Sequence, residues 1–195
     1  MAFFKASINQ TSVGAFPDPY VSRIIPFKFG IAKMAVKTGA HAIKLEGGAE
    51  VEESIKRIVG AGVPVMGHLG LTPQSIYKFG TYAVRAKEEA EANLLVEHAK
   101  VLEAAGCFAI VLEKIPASLG ALVAQQVRIP IIGIGAGAGV DGQVLVMHDL
   151  LGITKNFSPR FLRRYLDLHS AMLNATKQYI QDVKQLDFPN NEEQY

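Results

Sequence analysis

Four side chains have the types and spacing for acid–base or metal chemistry. Lys44 and Glu46 stand two apart in Lys44-Leu-Glu46-Gly-Gly48. In an extended strand, residues two apart share a face, so an ammonium and a carboxylate would emerge side by side. Carboxylate oxygens suit a hard cation, and the ammonium suits an anionic substrate. A surface salt bridge explains the pair equally well, but Gly47-Gly48 favours a site slightly, because bare backbone lets a ligand approach closely. His68 opens His68-Leu-Gly-Leu-Thr-Pro73. It would donate to a substrate oxygen or act as an acid, or be a satisfied structural histidine. Glu113 closes the apolar run Ile110-Val-Leu-Glu113. Desolvation beside such a run would make it a better base near neutral pH; the plain alternative is a strand-end carboxylate facing water.

Two other features carry less. Ile131-Ile-Gly-Ile-Gly-Ala-Gly-Ala-Gly139 offers backbone N–H groups to an anion, and Gly137 to Gly142 fits G-x-G-x-x-G. No evident helix follows, and no acidic residue stands where a ribose would need one, so a dinucleotide fold is disfavoured. Cys107 is the only cysteine. It begins an apolar run without a basic neighbour, which predicts a buried structural thiol.

The elements that position these residues repeat. Each unit is an amphipathic helix, a small-residue break and a short apolar run with a polar or glycine-rich end. The helices are expected at 31–37, 51–59, 88–105 and 119–127, and the runs at 41–46, 63–68, 107–113 and 128–135, with an insertion over 69–86. In the third helix Leu94, Leu95, His98, Val101, Leu102 and Ala105 share a face at three-and-four spacing, and Gly106 ends it. Nearly continuous apolar runs suit parallel strands covered on both faces. Lys44, Glu46, His68 and Glu113 all lie at downstream strand ends, the catalytic face of a (β/α)8 barrel. Ser158-Pro159 reads as a helix start, with one long or two shorter apolar-striped helices following. The domain reading is a loosely ordered arm over 1–28, a barrel-type domain over 29–186 with C-terminal helices, and a solvated tail over 187–195.

With 49% hydrophobic and 19% charged residues, 195 residues can build a core. A net charge of +2 gives no cause to expect nucleic acid or an anionic membrane as partner. No stretch approaches the ~18 apolar residues of a membrane span, and the N-terminus lacks a secretory apolar segment. The expected location is the cytoplasm.

Taken in order, Lys44-Leu-Glu-Gly-Gly48, Pro64-Val-Met-Gly-His-Leu-Gly-Leu-Thr-Pro-Gln-Ser75, Leu102-Glu-Ala-Ala-Gly106, Val111-Leu-Glu113, Ile129-Pro-Ile-Ile-Gly-Ile-Gly-Ala-Gly137 and Asp141-Gly-Gln-Val-Leu-Val-Met-His-Asp149 closely resemble the ketopantoate hydroxymethyltransferase family. The resemblance runs from about Phe29 to the C-terminal helices. It implies a (β/α)8 barrel in a homo-oligomer, usually of ten subunits. It implies transfer of a hydroxymethyl group from 5,10-methylenetetrahydrofolate to 3-methyl-2-oxobutanoate, giving 2-dehydropantoate in pantothenate synthesis. Mg2+ would chelate the oxo acid and stabilise its enolate as a Lewis acid. By the same resemblance Glu46 matches the metal-binding glutamate, Lys44 and His68 match substrate-pocket residues, and Glu113 matches the catalytic proton acceptor.

The sequence also departs from that pattern. Two further metal-binding aspartates are expected on strands before Lys44, yet the only acidic residue before Glu46 is Asp18, between two prolines. Four or five strands are legible where a barrel has eight. The expected fold is therefore a partial (β/α)8 barrel without its N-terminal strands, binding metal weakly and turning over poorly as an isolated chain. Two alternatives stay open: an impaired relic or assembly subunit of that family, and another Mg2+-dependent barrel enzyme acting on 2-oxo acids.

Overall fold

The computed structural model describes residues 39–195. The expected N-terminal arm and the first helix, 31–37, lie outside them. The described chain falls into two compact units, divided between Val144 and Leu145.

In the first unit β1 (Ile43–Glu46), β2 (Val65–Gly70), β3 (Ala109–Glu113), β4 (Ile131–Ile134) and β5 (Gly142–Gln143) form one parallel sheet in the order β1-β2-β3-β4-β5. Each strand lies beside its successor, so the winding never reverses. A doubly wound sheet reverses at a switch point, whereas a (β/α)8 barrel advances one strand at a time. The described residues thus have the part-barrel winding expected from the sequence. Helices α1 (Glu52–Gly60), α2 (Ile76–Phe79), α3 (Glu89–Ala104) and α4 (Ala117–Gln126) lie in the connections, and a glycine-rich loop alone joins β4 to β5.

The two sheet faces differ in kind. Val65, Leu69, Ile110, Leu112 and Ile131 join Ile55, Ile58, Leu95, Ala99, Leu102, Leu119 and Val123 of the helices in one buried apolar cluster. Strand alternation sends the intervening residues to the other face. There the parallel register places Glu46 beside His68, His68 beside Val111, and Gly70 beside Glu113. The apolar face holds the fold and the opposite face carries the polar residues.

Two expectations need correction. In α3 the buried positions are Leu95, Ala99 and Leu102, while Leu94 is exposed. The inward stripe follows the four-and-three steps from Leu95 through Ala99 to Leu102. In the second unit Ser158-Pro159 does not start a helix. Leu162 N–H bonds Pro159 O in a turn, and the Arg164 guanidinium gathers the carbonyls of Thr154, Lys155 and Phe157, which fixes the segment in a non-helical loop. After the short α5 (Met147–Leu150), the one long helix α6 (Leu168–Lys184) begins at Asp167, whose carboxylate accepts from Ser170 N–H and so caps it. The apolar side chains Met172, Leu173, Tyr179, Ile180 and Val183 of α6 are exposed.

Candidate active site

The four side chains singled out from the sequence come together at the downstream ends of β1, β2 and β3. Lys44 Nζ lies 3.8 Å from Glu46 Oε1, so the two-residue spacing does place both on one face. His68 stands between the two carboxylates. Its Nδ1 is 3.0 Å from Lys44 Nζ and 3.4 Å from Glu46 Oε1, and its Nε2 is 3.2 Å from Glu113 Oε2. Had Glu46 and Glu113 pointed to opposite sides of the sheet, no shared chemistry would be available to them; instead one imidazole spans the gap.

Burial grades across this row. The His68 side chain is 1% exposed, Glu46 7%, Glu113 19% and Lys44 28%. The site therefore opens towards solvent at Lys44 and Glu113 and is closed at its centre. Glu113 Oε2 is at ion-pair distance from His68 Nε2 but out of line, so that buried nitrogen has no well-directed hydrogen-bond partner. Such an unmet donor costs about 1–3 kcal/mol, and it marks the point at which a ligand oxygen or a rotated Glu113 would be welcome.

Glu46 is held from a further side. Its Oε2 accepts the backbone N–H of Gln74 at 2.9 Å. The Pro73–Ser75 turn after β2 presents that N–H. Sequence reading gave Gln74 no role, although Pro73 at the first position of a helical turn was the available signal. Burial pushes the Glu46 carboxyl up, yet the neighbouring His68 ring, the Gln74 N–H and the Lys44 ammonium outweigh it, and the group lies below its ordinary 4.5. Gly70 closes β2 with φ +86, where a Cβ would stand 2.3 Å from Glu113 O; this lets Leu71 N–H bond that oxygen at 2.8 Å and ties the loop to the end of β3.

The glycine-rich segment proves to be a packing device. A Cβ at Gly120 would meet Ala136 O at 2.3 Å, and one at Gly137 would meet Ala117 Cβ at 2.4 Å. The glycines let the loop after β4 lie directly on α4, which accounts for them without an anion. Cys107 is buried as expected, and burial pushes its thiol up to about 11.

A family model described as ketopantoate hydroxymethyltransferase matches residues 28–191. The chain belongs to the ketopantoate hydroxymethyltransferase family. Similar proteins bear the name 3-methyl-2-oxobutanoate hydroxymethyltransferase. That of Flavobacterium johnsoniae is 67% identical over 159 residues, covering 82% of this chain and 58% of the relative. That of Parabacteroides distasonis is 68% identical with the same coverage. The chain thus spans 58% of the length of these relatives. A YdjI aldolase structure from Escherichia coli K12 overlays at a TM-score of 0.39 and 17% identity, covering 62% of this chain and 50% of that one, which is too remote to carry an argument.

The Mg2+ implied by resemblance to ketopantoate hydroxymethyltransferases is not matched by the donors at hand. Among the described residues, no group of three His, Cys, Asp or Glu side chains is placed to hold a metal ion. Glu46 offers one carboxylate, with Oε1 near His68 and Lys44 and Oε2 taken by Gln74 N–H. A hard divalent cation takes about six oxygens, so the described residues alone do not fit it.

Proposed function

We propose that this chain carries the enolate-forming residues of a 3-methyl-2-oxobutanoate hydroxymethyltransferase. Glu113 removes the proton from the third carbon of 3-methyl-2-oxobutanoate. Lys44 pairs with the carboxylate of the oxo acid, and His68 stands between Lys44 and Glu113. The enolate carbon bonds to the methylene carbon of 5,10-methylenetetrahydrofolate. The two C–N bonds of that carbon are exchanged for this C–C bond and a C–O bond to water. The proton taken by Glu113 and one from water go to the two freed nitrogens, giving tetrahydrofolate and 2-dehydropantoate. The supporting observation is the convergence of Lys44, Glu46, His68 and Glu113 at the ends of three adjacent parallel strands. Mg2+ belongs to the proposal as a requirement of the reaction, with Glu46 its one proposed ligand among the described residues. The working form proposed is a cytoplasmic homo-oligomer, ten subunits in the family pattern, acting on small molecules in pantothenate synthesis.

The first step can be tested without the folate. Incubated in D2O with Mg2+ and 3-methyl-2-oxobutanoate, the full chain should exchange the proton on the third carbon, read by loss of its 1H NMR signal. Glu113→Gln should slow exchange by ~10²–10⁴-fold, the usual contribution of a positioned general base. Unchanged exchange in Glu113→Gln would remove it from the role of base. A second reading is favoured by one observation, the single carboxylate ligand among the described residues: an assembly subunit or relic of the family with impaired turnover. Exchange no faster than in buffer would select it.

A further inference from the structure

Among the described residues, Lys44 and His68 are closer to each other than either is to a carboxylate, and this contact has a direction. An ammonium has three donors and no acceptor. At 3.0 Å from Lys44 Nζ, His68 Nδ1 must therefore accept. A proton on Nδ1 would set two donors against each other at the shortest contact of the cluster, for the sake of a longer one, 3.4 Å, to Glu46 Oε1. The single proton of a neutral ring is left on Nε2, the atom 3.2 Å from Glu113 Oε2. We propose that Lys44 acts through His68: it fixes the Nε2–H tautomer, and a small rotation of Glu113 brings Oε2 onto that N–H, so that the other carboxylate oxygen faces the proton to be removed.

This gives Lys44 a second task besides meeting the oxo acid and makes His68 a positioning residue. It also accounts for a fully buried imidazole whose outer nitrogen has no well-directed partner: a small rotation of the half-buried Glu113 would satisfy it. The inference rests on the proposed reaction for its purpose, though not for its geometry, and the two can fail separately.

The test is 15N NMR of the histidine ring nitrogens in the full chain near neutral pH. The chain has five histidines. A variant carrying His41→Gln, His98→Gln, His148→Gln and His169→Gln leaves His68 as the sole ring signal, so His68 need not be mutated to assign it. The expected result is a bare Nδ1 and a protonated Nε2. In Lys44→Met the proton should move to Nδ1, now free to donate to Glu46, a switch that a merely structural histidine would not make. In the exchange assay Lys44→Met should lower the rate at saturating oxo acid by roughly 10- to 100-fold, the scale seen when an orienting outer partner is lost, as well as raise KM. His68→Gln, which can still donate from the Nε2 position, should retain more of that saturated rate than His68→Asn. An Nδ1–H tautomer in the parent, a tautomer indifferent to Lys44→Met, or a Lys44→Met effect confined to KM would each overturn the inference. The NMR result stands or falls without turnover, so absent exchange with the expected tautomer would sink the reaction and leave this relay intact.

Discussion

Gly67→Ala tests how closely helix α3 sits behind the strand that carries His68. A Cβ at Gly67 would stand 2.8 Å from Leu102 Cδ1, 3.4 Å from Ile110 Cγ1 and 3.6 Å from Cys107 Sγ. Only the first contact is intolerable. Leu102 is fully buried, so the methyl it would have to move has little room to go. Overpacking a core costs typically 1–3 kcal/mol. The alanine recovers up to ~1 kcal/mol by restricting the unfolded chain, which leaves a net loss of about 0–2 kcal/mol. Leu102→Ala alone opens a cavity and should cost about 2–5 kcal/mol. In the double variant the new methyl fills part of that cavity and the clash disappears, so the loss should fall short of the sum of the singles by ~1–3 kcal/mol. Urea unfolding followed by far-UV circular dichroism gives the cycle, since the chain has no tryptophan to serve as a fluorescence probe. Losses that add to within about 0.5 kcal/mol would mean the two side chains do not meet, and the placement of α3 behind β2 would be wrong.

Two further outcomes follow from the ionisable groups. The Glu46 carboxyl lies below its ordinary value, so its stabilisation is present above about pH 4.5 and is lost as pH falls through the lower folded value. The midpoint of urea unfolding should therefore drop more steeply for the parent than for Glu46→Gln between roughly pH 5 and roughly pH 3; parallel profiles would show that Glu46 is not held by His68, Gln74 N–H and Lys44. For Cys107, a thiol pushed up to about 11 by burial is protonated at neutral pH and should react with iodoacetamide at least ~10-fold more slowly in the folded chain than in urea, a difference read by mass spectrometry; equal rates would place the thiol at the surface.

The sequence made the parallel strands legible because their residues are nearly all apolar and each run ends in a small or charged residue. Cys107 to Glu113 and Arg128 to Gly135 contain β3 and β4 for that reason. The two-residue spacing of Lys44 and Glu46 was enough to put them on one face. The contact between Lys44 and His68 was not legible, because it depends on the β1–β2 register, which pairs Lys44 with Met66 and Glu46 with His68, and register is a property of two strands at once. The Gln74 N–H was hidden for a related reason: a backbone donor carries no residue signature. Ser158-Pro159 misled because a good local start signal competes with tertiary bonds, here those of Arg164, that no local window contains.

The division of labour between the two sheet faces bears on how far structure and activity can be separated in this chain. The apolar face of β2 and β3 is locked against α1, α3 and α4 through Val65, Leu69, Ile110 and Leu112, none of which touches chemistry. The polar face carries Lys44, Glu46, His68 and Glu113, and among these only His68 is wholly withdrawn from water. Replacing Glu113 or Lys44 removes a group that keeps some solvent contact, so the fold should tolerate it at a cost near that of a partly exposed ion pair, well below that of a core cavity. The same reasoning runs in reverse: a chain with this apolar face intact would keep its parallel sheet even where the oxygen ligands for a metal are too few. Fold and reaction thus stand on different side chains of the same strands. Loss of exchange in Glu113→Gln with unchanged unfolding would locate the defect in chemistry, whereas Gly67→Ala should shift unfolding first and reach the reaction only through the position of His68.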